Sequence, residues 1–319
     1  IPTFQEIQAA SNRISGHILT TPVVFSPEFN ELLGCFAWFK CENLQETGAF
    51  KLRGASNAVL KLREAGIDRG VATHSSGNHG AALSRAAVAD GREVWIVMPD
   101  NSVPAKITAV RAYGGKIVFC APNQKDREAG LGKLVEQGLI PIPPYEHPDI
   151  IAGQGTAALE LLQEQADLDI LLAPVGGGGL ISGSGIVARH LRPEIEVFAA
   201  EPAGAADTAE RFHHGLAIPG FHPQTIADGL RAVVGELTFS IIQNVVDDVL
   251  IVTEAGIIKG VELVKHHLNM IIEPSSATVI AAMLEHPQAF AGKRVGVILS
   301  GGNIDRALFP QLFGAGNDE

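Results

Sequence analysis

Residues 169–183 read DILLAPVGGGGLISG. The run Asp169–Val175 is almost continuously apolar, four glycines follow, and Leu180 and Ile181 then open a segment with helical spacing. A short apolar run of this kind suits a strand covered on both faces. Glycine turns the chain tightly and lets backbone N–H groups approach a ligand, and a helix starting there adds partial positive charge. Strand, glycine turn and helix together form the repeating unit of an open α/β sheet, which places ligands beyond the strand ends. The turn is therefore an anion cradle, suited to a phosphate.

Two familiar nucleotide motifs do not fit it. Gly178 and Gly183 have the P-loop spacing, but Ser184 follows where that motif needs a lysine. The stretch GSGIVA (183–188), with Glu201 ending the next apolar run, loosely matches a dinucleotide fingerprint. It falls inside the predicted helix rather than at the turn, so a nicotinamide or flavin is not expected.

The same alternation runs outward along the chain. Further strands are predicted at 70–76, 93–99, 116–121, 196–202, 248–253 and 294–302, separated by segments such as GAALSRAAVADG and GTAALELLQEQA with helical spacing. This pattern predicts an α/β fold of two doubly wound lobes with parallel-rich sheets. The Pro-rich stretch IPIPPYEHP (140–148) reads as a connector. Residues 70–146 are expected to form a small inserted domain, and 1–69 with 147–319 a large cofactor-binding domain.

Composition excludes several function classes. A net charge of −11 opposes a nucleic-acid partner, which needs a basic face. No apolar run has the length of a membrane span, and the start IPTFQEIQAASNRI has no signal-peptide pattern. Cys35, Cys41 and Cys120 have no metal-ligand spacing and read as reduced thiols, so a cytoplasmic location is expected.

Three more clusters of small residues stand out: TGAFK (47–51), SSGNHG (75–80) and SGGN (300–303). The first ends on Lys51, just where a helix is predicted to begin. Positive charge at a helix N-terminus is unfavourable, and burial also opposes the charged form, so this amine should lose its proton easily. A neutral amine can form a Schiff base with a carbonyl. Taken with a phosphate cradle, that points to a cofactor carrying both an aldehyde and a phosphate, namely pyridoxal phosphate.

Here the sequence resembles the serine/threonine dehydratase and serine racemase family, fold-type II pyridoxal-phosphate enzymes of the tryptophan synthase beta-like fold. The matching stretches are KCENLQETGAFKLRGASNA, SSGNHGAAL, IAGQGTAALEL, PVGGGGLISG, AAEPAGAAD, TIADGL, IIEPSSA and LSGGN, in the family's order over nearly the whole chain. The resemblance implies that Lys51 binds the cofactor aldehyde and that Phe50 packs on its ring. It implies Asn78 at the phenolic oxygen, Gly176, Gly177, Gly178 and Gly179 around the phosphate, and Ser300 at the pyridine nitrogen. A hydroxyl there makes the ring a weaker electron sink, suited to β-elimination. Ser75, Asn78 and His79 would hold the substrate carboxylate.

The implied activity is an ammonia-lyase reaction that dehydrates L-serine, L-threonine or a 3-hydroxyaspartate-type amino acid to a 2-oxo acid and ammonia. In it Lys51 removes the α-proton. The alternative within the family is an amino-acid racemase, with Ser76 as the acid on the opposite face. From another class, a non-catalytic phosphate- or nucleotide-binding protein would keep the glycine loops without needing Lys51. Glu201, Asp207 and the Ala205 carbonyl match a divalent-cation site whose hard oxygens suit Mg²⁺, Ca²⁺ or Mn²⁺. Arg127 aligns with a position that could pair with a second substrate carboxylate. Ala81 departs from the glutamine near the ATP site of animal racemases, and a homodimer is expected. The adjacent pairs His213–His214 and His266–His267 read as surface residues.

Overall fold

The computed structural model describes residues 1–75, 77–216 and 220–313. Among these, ten strands build two sheets: β1 (Val23–Phe25), β2 (Phe36–Cys41), β3 (Val71–His74), β4 (Val94–Pro99), β5 (Lys116–Cys120), β6 (Ile140–Pro141), β7 (Ile170–Pro174), β8 (Glu196–Pro202), β9 (Asp248–Val252) and β10 (Arg294–Leu299). The six-stranded sheet has the order β1-β2-β10-β7-β8-β9 and the four-stranded sheet the order β5-β4-β3-β6. Only β1 runs antiparallel to its neighbour, pairing Val24 with Phe39. The other pairs, for example Val297 with Phe39 and Ala173 with Ala199, are parallel.

The α/β class and all seven strands expected from apolar runs are present. One boundary differs. Ile140–Pro141, read as the start of the connector, pairs with Val71 and Ala72 as an edge strand. An edge is where a sheet tolerates a proline, because the missing N–H faces away from the ladder.

Helices cover both faces of each sheet, and the apolar core divides accordingly. Ile151, Leu171, Leu180 and Val197 belong to the cluster on one face of the large sheet, while Phe39, Leu172, Val264 and Ile280 fill the other. Leu52, Ala55 and Val59 of helix Lys51–Glu64 pack with Val71, Leu83 and Ile96 of the small sheet's core. That helix also crosses helix Pro148–Glu164 at backbone contact: a Cβ on Gly153 would lie 2.6 Å from the Gly54 Cα. Among the described residues no helix is long and apolar enough to cross a membrane.

A buried ion cluster fixes the same helix. The Arg53 guanidinium, wholly out of water, donates to Glu42 at 2.7 and 2.8 Å and to Glu160 at 2.7 and 2.8 Å. Lys40, buried in β2, donates to Glu160 at 2.6 Å and to the Thr21 carbonyl at 2.5 Å. Burial pushes the Glu42 carboxyl up, but the charge and hydrogen bonds of Arg53 outweigh it and hold the group below its usual range. Arg53→Leu would leave Glu42 buried and unpaired, which should cost about 3–5 kcal/mol. Urea unfolding should show that loss, and the double variant with Glu42→Gln should recover part of it.

Candidate active site

The decisive turn joins β7 to helix Gly179–Leu191. Gly178 sits at the helix N-cap with φ +86°, a left-handed conformation that favours glycine. Side chains have no room here. A Cβ on Gly176 would lie 2.9 Å from the Leu230 Cα, one on Gly177 2.3 Å from Tyr145 Cδ1, and one on Gly178 2.8 Å from Thr238 Cβ. The result is a side-chain-free turn at the N-terminus of a 13-residue helix, whose first N–H groups have no intrahelical acceptor. Bare N–H groups beside a helix dipole fit a phosphate.

Lys51 opens helix Lys51–Glu64. The approach to it is tied to the end of β10: Ala49 bridges Gly301, and the Phe50 N–H donates to the Ser300 carbonyl at 3.0 Å. Ser300 is buried at this strand end, and the Phe50 ring lies 5.0 Å from Lys51 Nζ. Lys51 Nζ donates to the Pro144 carbonyl at 2.8 Å. The next residue, Tyr145, lays its ring on Gly177. One short segment therefore joins the amine to the cradle. Burial pulls the Lys51 ammonium down to about 8, against a smaller opposing pull from the Glu273 carboxylate. An amine that sheds its proton this readily beside a phosphate cradle fits an aldehyde-bearing phosphate cofactor.

The loop after β3 faces this amine from the small sheet. Ser75 Oγ accepts from the N–H groups of Gly77 (3.3 Å) and Gly80 (3.2 Å), shaping the start of helix Asn78–Ala89. Asn78 Nδ2 donates to both Glu273 oxygens, at 2.9 and 3.1 Å, and its Oδ1 accepts from Asn303 Nδ2 at 2.9 Å. Asn303 also donates to the Thr47 carbonyl at 2.9 Å. Glu273 is buried, which pushes its carboxyl up to about 7 despite Asn78, Lys106 and Lys51.

His79 is buried: its Nε2 lies 2.9 Å from the Ile142 carbonyl, its Nδ1 has no hydrogen-bond partner, and burial, aided by the charge of Lys51, pushes the ring down to about 3. Arg127 lies beside His74 at the end of β3, and its Nε is buried without a hydrogen-bond partner. Ser76 lies outside the described residues.

A second cluster lies at the end of β8. Glu201 is fully buried and accepts from the Thr208 and Ala209 N–H groups at 3.2 and 2.8 Å. Asp207, also buried, accepts from the Val234 N–H at 2.9 Å. Ala205 occupies the short turn between them. Burial, followed by the nearby charge of Asp207, pushes Glu201 up to about 8. Two buried carboxyl groups, each pushed up by burial and Glu201 also by the charge of Asp207, form a donor set suited to a hard cation.

Several residues in this geometry were not assigned from the sequence. Glu273 and Asn303 lie inside the motifs IIEPSSA and SGGN but carry no spacing that reveals a role. Lys106 stands in an unremarkable helical segment, PAKITAVRA. His267 is a correction: it is not a surface residue, since its ring stacks on Phe29 at 5.0 Å and its side chain is only 7% exposed.

The profile of the pyridoxal-phosphate dependent enzyme family matches residues 14–301. The chain is 46% identical over 311 residues to the beta-hydroxyaspartate dehydratase of Paracoccus denitrificans (strain Pd 1222), covering 97% of this chain and 99% of the relative. It is 41% identical over 320 residues to the L-threo-3-hydroxyaspartate ammonia-lyase of Saccharomyces cerevisiae (strain ATCC 204508 / S288c), covering 100% and 98%. Among solved structures, the serine racemase of Dictyostelium discoideum superposes with a TM-score of 0.90 at 45% identity, over 95% of this chain and 99% of that one.

In cofactor-free protein, modification of Lys51 by an amine-selective reagent should rise through pH 8, well below the ordinary lysine value of 10.5. Glu273→Gln removes the anion that favours the ammonium, so the midpoint should move lower still. Peptide mapping after labelling at a series of pH values checks both.

Proposed function

Because the chain belongs to the pyridoxal-phosphate-dependent enzyme family, we propose that it dehydrates a β-hydroxy amino acid to a 2-oxo acid and ammonia. The observation that carries this reading is the Lys51 amine, held by the Pro144 carbonyl one residue from the ring that covers the glycine turn. The relatives named for hydroxyaspartate dehydration support substrates of the 3-hydroxyaspartate type, with serine and threonine as the simpler members of the class.

Pyridoxal phosphate, when bound, supplies the carbonyl that joins the substrate amine and the ring that disperses charge from the α-carbon. The N–H groups of Gly176–Gly179 would hold its phosphate, Phe50 would cover its ring, Asn78 would reach its phenolic oxygen, and Ser300 its nitrogen. Ser75 and the main-chain N–H groups of Asn78 and His79 would seat the substrate carboxylate. Arg127 adds positive charge behind that loop. Lys51, readily neutral at its titration point of about 8, takes the α-proton as general base. The β-hydroxyl then departs as water, and the released enamine takes up water to give the 2-oxo acid and ammonia.

Racemisation of the same substrates is a second reading, supported by the serine racemase superposition, and would use Ser76 as the opposing acid. The proposal extends to a divalent cation held by Glu201, Asp207 and the Ala205 carbonyl. It also includes a large domain of 1–69 and 147–319 with a small one of 70–146, a homodimer, and a cytoplasmic location.

A panel of L- and D-serine, L-threonine, 3-hydroxyaspartate and phenylserine, with assays for 2-oxo acid, ammonia and enantiomers, tests this. Dehydration should dominate, and Lys51→Ala should slow it by at least about 10³-fold. Absence of 2-oxo acid from every substrate would refute the lyase reading, and inversion without it would favour the racemase. For the cation, a chelator should lower the melting temperature, and Mg²⁺ or Ca²⁺ should restore it. Glu201→Gln should abolish that response.

A further inference from the structure

Lys106 is the third residue of helix Pro104–Ala112, on the small sheet's side of the cleft. Its ammonium pairs with Asp228, in the short turn Asp228–Leu230 on the opposite side. The same ammonium lies 3.8 Å from where a Cβ on Gly77 would stand, the one described group beyond the glycine's own chain neighbours within 4 Å of that point. Gly77 is the middle of the loop between Ser75 and Asn78. Lys106 is thus the side chain that approaches Gly77 from outside the loop.

We propose that Lys106 is a specificity-determining residue that binds the second carboxylate of a β-hydroxy dicarboxylic amino acid. The inference rests on the dehydratase reading above. A substrate whose α-carboxylate sits on the loop's N–H groups carries its second carboxylate only three bonds further on, within reach of an ammonium that lies 3.8 Å from the Gly77 Cβ position. An ammonium has three donors, so Lys106 can keep Asp228 and accept a second carboxylate. Arg231, whose guanidinium donates to the Thr225 carbonyl at 2.5 and 3.0 Å, adds positive charge near Lys106. Three-quarters or more of the Lys106 side chain is out of water, where a charge-assisted contact is stronger than at the surface.

Arg127 is less suited to this contact. Its helix, Gln124–Glu136, packs on the face of the small sheet lined by Ala72, Val97 and Leu134, whereas Lys106 stands on the face lined by Val71, Ile96 and Val110. Arg127 acts on His74 and Cys120 from behind the loop. Lys106 is the cation joined to the far wall of the cleft.

The test compares kcat/KM of the holoenzyme for 3-hydroxyaspartate and for L-serine. Lys106→Met should lower the first by about 100-fold while the second stays within about threefold, and Lys106→Arg should retain part of the dicarboxylate rate. Asp228→Asn removes a competing anion and should raise the preference for 3-hydroxyaspartate. Arg127→Met should change both substrates alike. Equal losses on both substrates in Lys106→Met would assign Lys106 to joining the lobes and overturn the proposal. So would an unchanged dicarboxylate rate, or a selective loss in Arg127→Met. Wild-type enzyme that dehydrates serine but not 3-hydroxyaspartate would sink this inference and leave the dehydratase reading standing. Inactivity on both would sink both.

Discussion

The site depends on one half-buried amine whose charged form burial disfavours. A lysine in solvent holds its proton far above neutral pH. At Lys51 the cost of burying charge outweighs the attraction of Glu273, and the ammonium falls to about 8. This effect is meaningful only if the amine is also aimed. The Pro144 carbonyl fixes its direction, and the main-chain link from Phe50 to Ser300 anchors the start of its helix to β10. Two residues on, the Arg53 cluster holds that helix against Glu42 and Glu160. A buried ion cluster of this kind is weak evidence for stability in itself, but it strongly disfavours any shift that would separate its members. Stability and chemistry meet on the same turn of helix.

Beside the apolar packing of helix Lys51–Glu64 on the small sheet's core, polar contacts join the loop after β3 to the ends of β10 and its neighbours. Asn78 uses both ends of its amide, donating to Glu273 and accepting from Asn303, so its orientation is set from the large sheet's side. Gly301 makes this arrangement possible, since a Cβ there would lie 2.5 Å from Glu273 Oε1. Lys106 and Asp228 add an ion pair across the same gap. Individual contacts of this type contribute only about 1 kcal/mol each.

The periodic, covered parts of the fold were legible in the sequence. The central strands are unbroken apolar runs, and the glycine turn announces both a close backbone approach and a helix start. Three strands were missed, being short or breaking the pattern, and β1 is only three residues long. β2 carries Lys40, buried only because Glu160 and the Thr21 carbonyl receive its protons from distant parts of the chain. β6 is two residues long and ends in proline. The same reason hid parts of the site. Glu273, Lys106, Asn303 and Tyr145 gain their meaning from partners about 30 to 230 residues away, which no local pattern encodes. His267 was misread because helical spacing says nothing of the neighbouring helix that brings Phe29 against it. Lys51 was readable because its peculiarity is local, a cation at the head of a helix among small residues.

The most direct test is borohydride reduction of the protein reconstituted with pyridoxal phosphate, followed by digestion and mass mapping. The account predicts a single reduced pyridoxyl adduct, on the peptide that contains Lys51, with Lys106 and the exposed lysines unmodified. An adduct on another lysine, or none at Lys51 under conditions where the cofactor is bound, would contradict it.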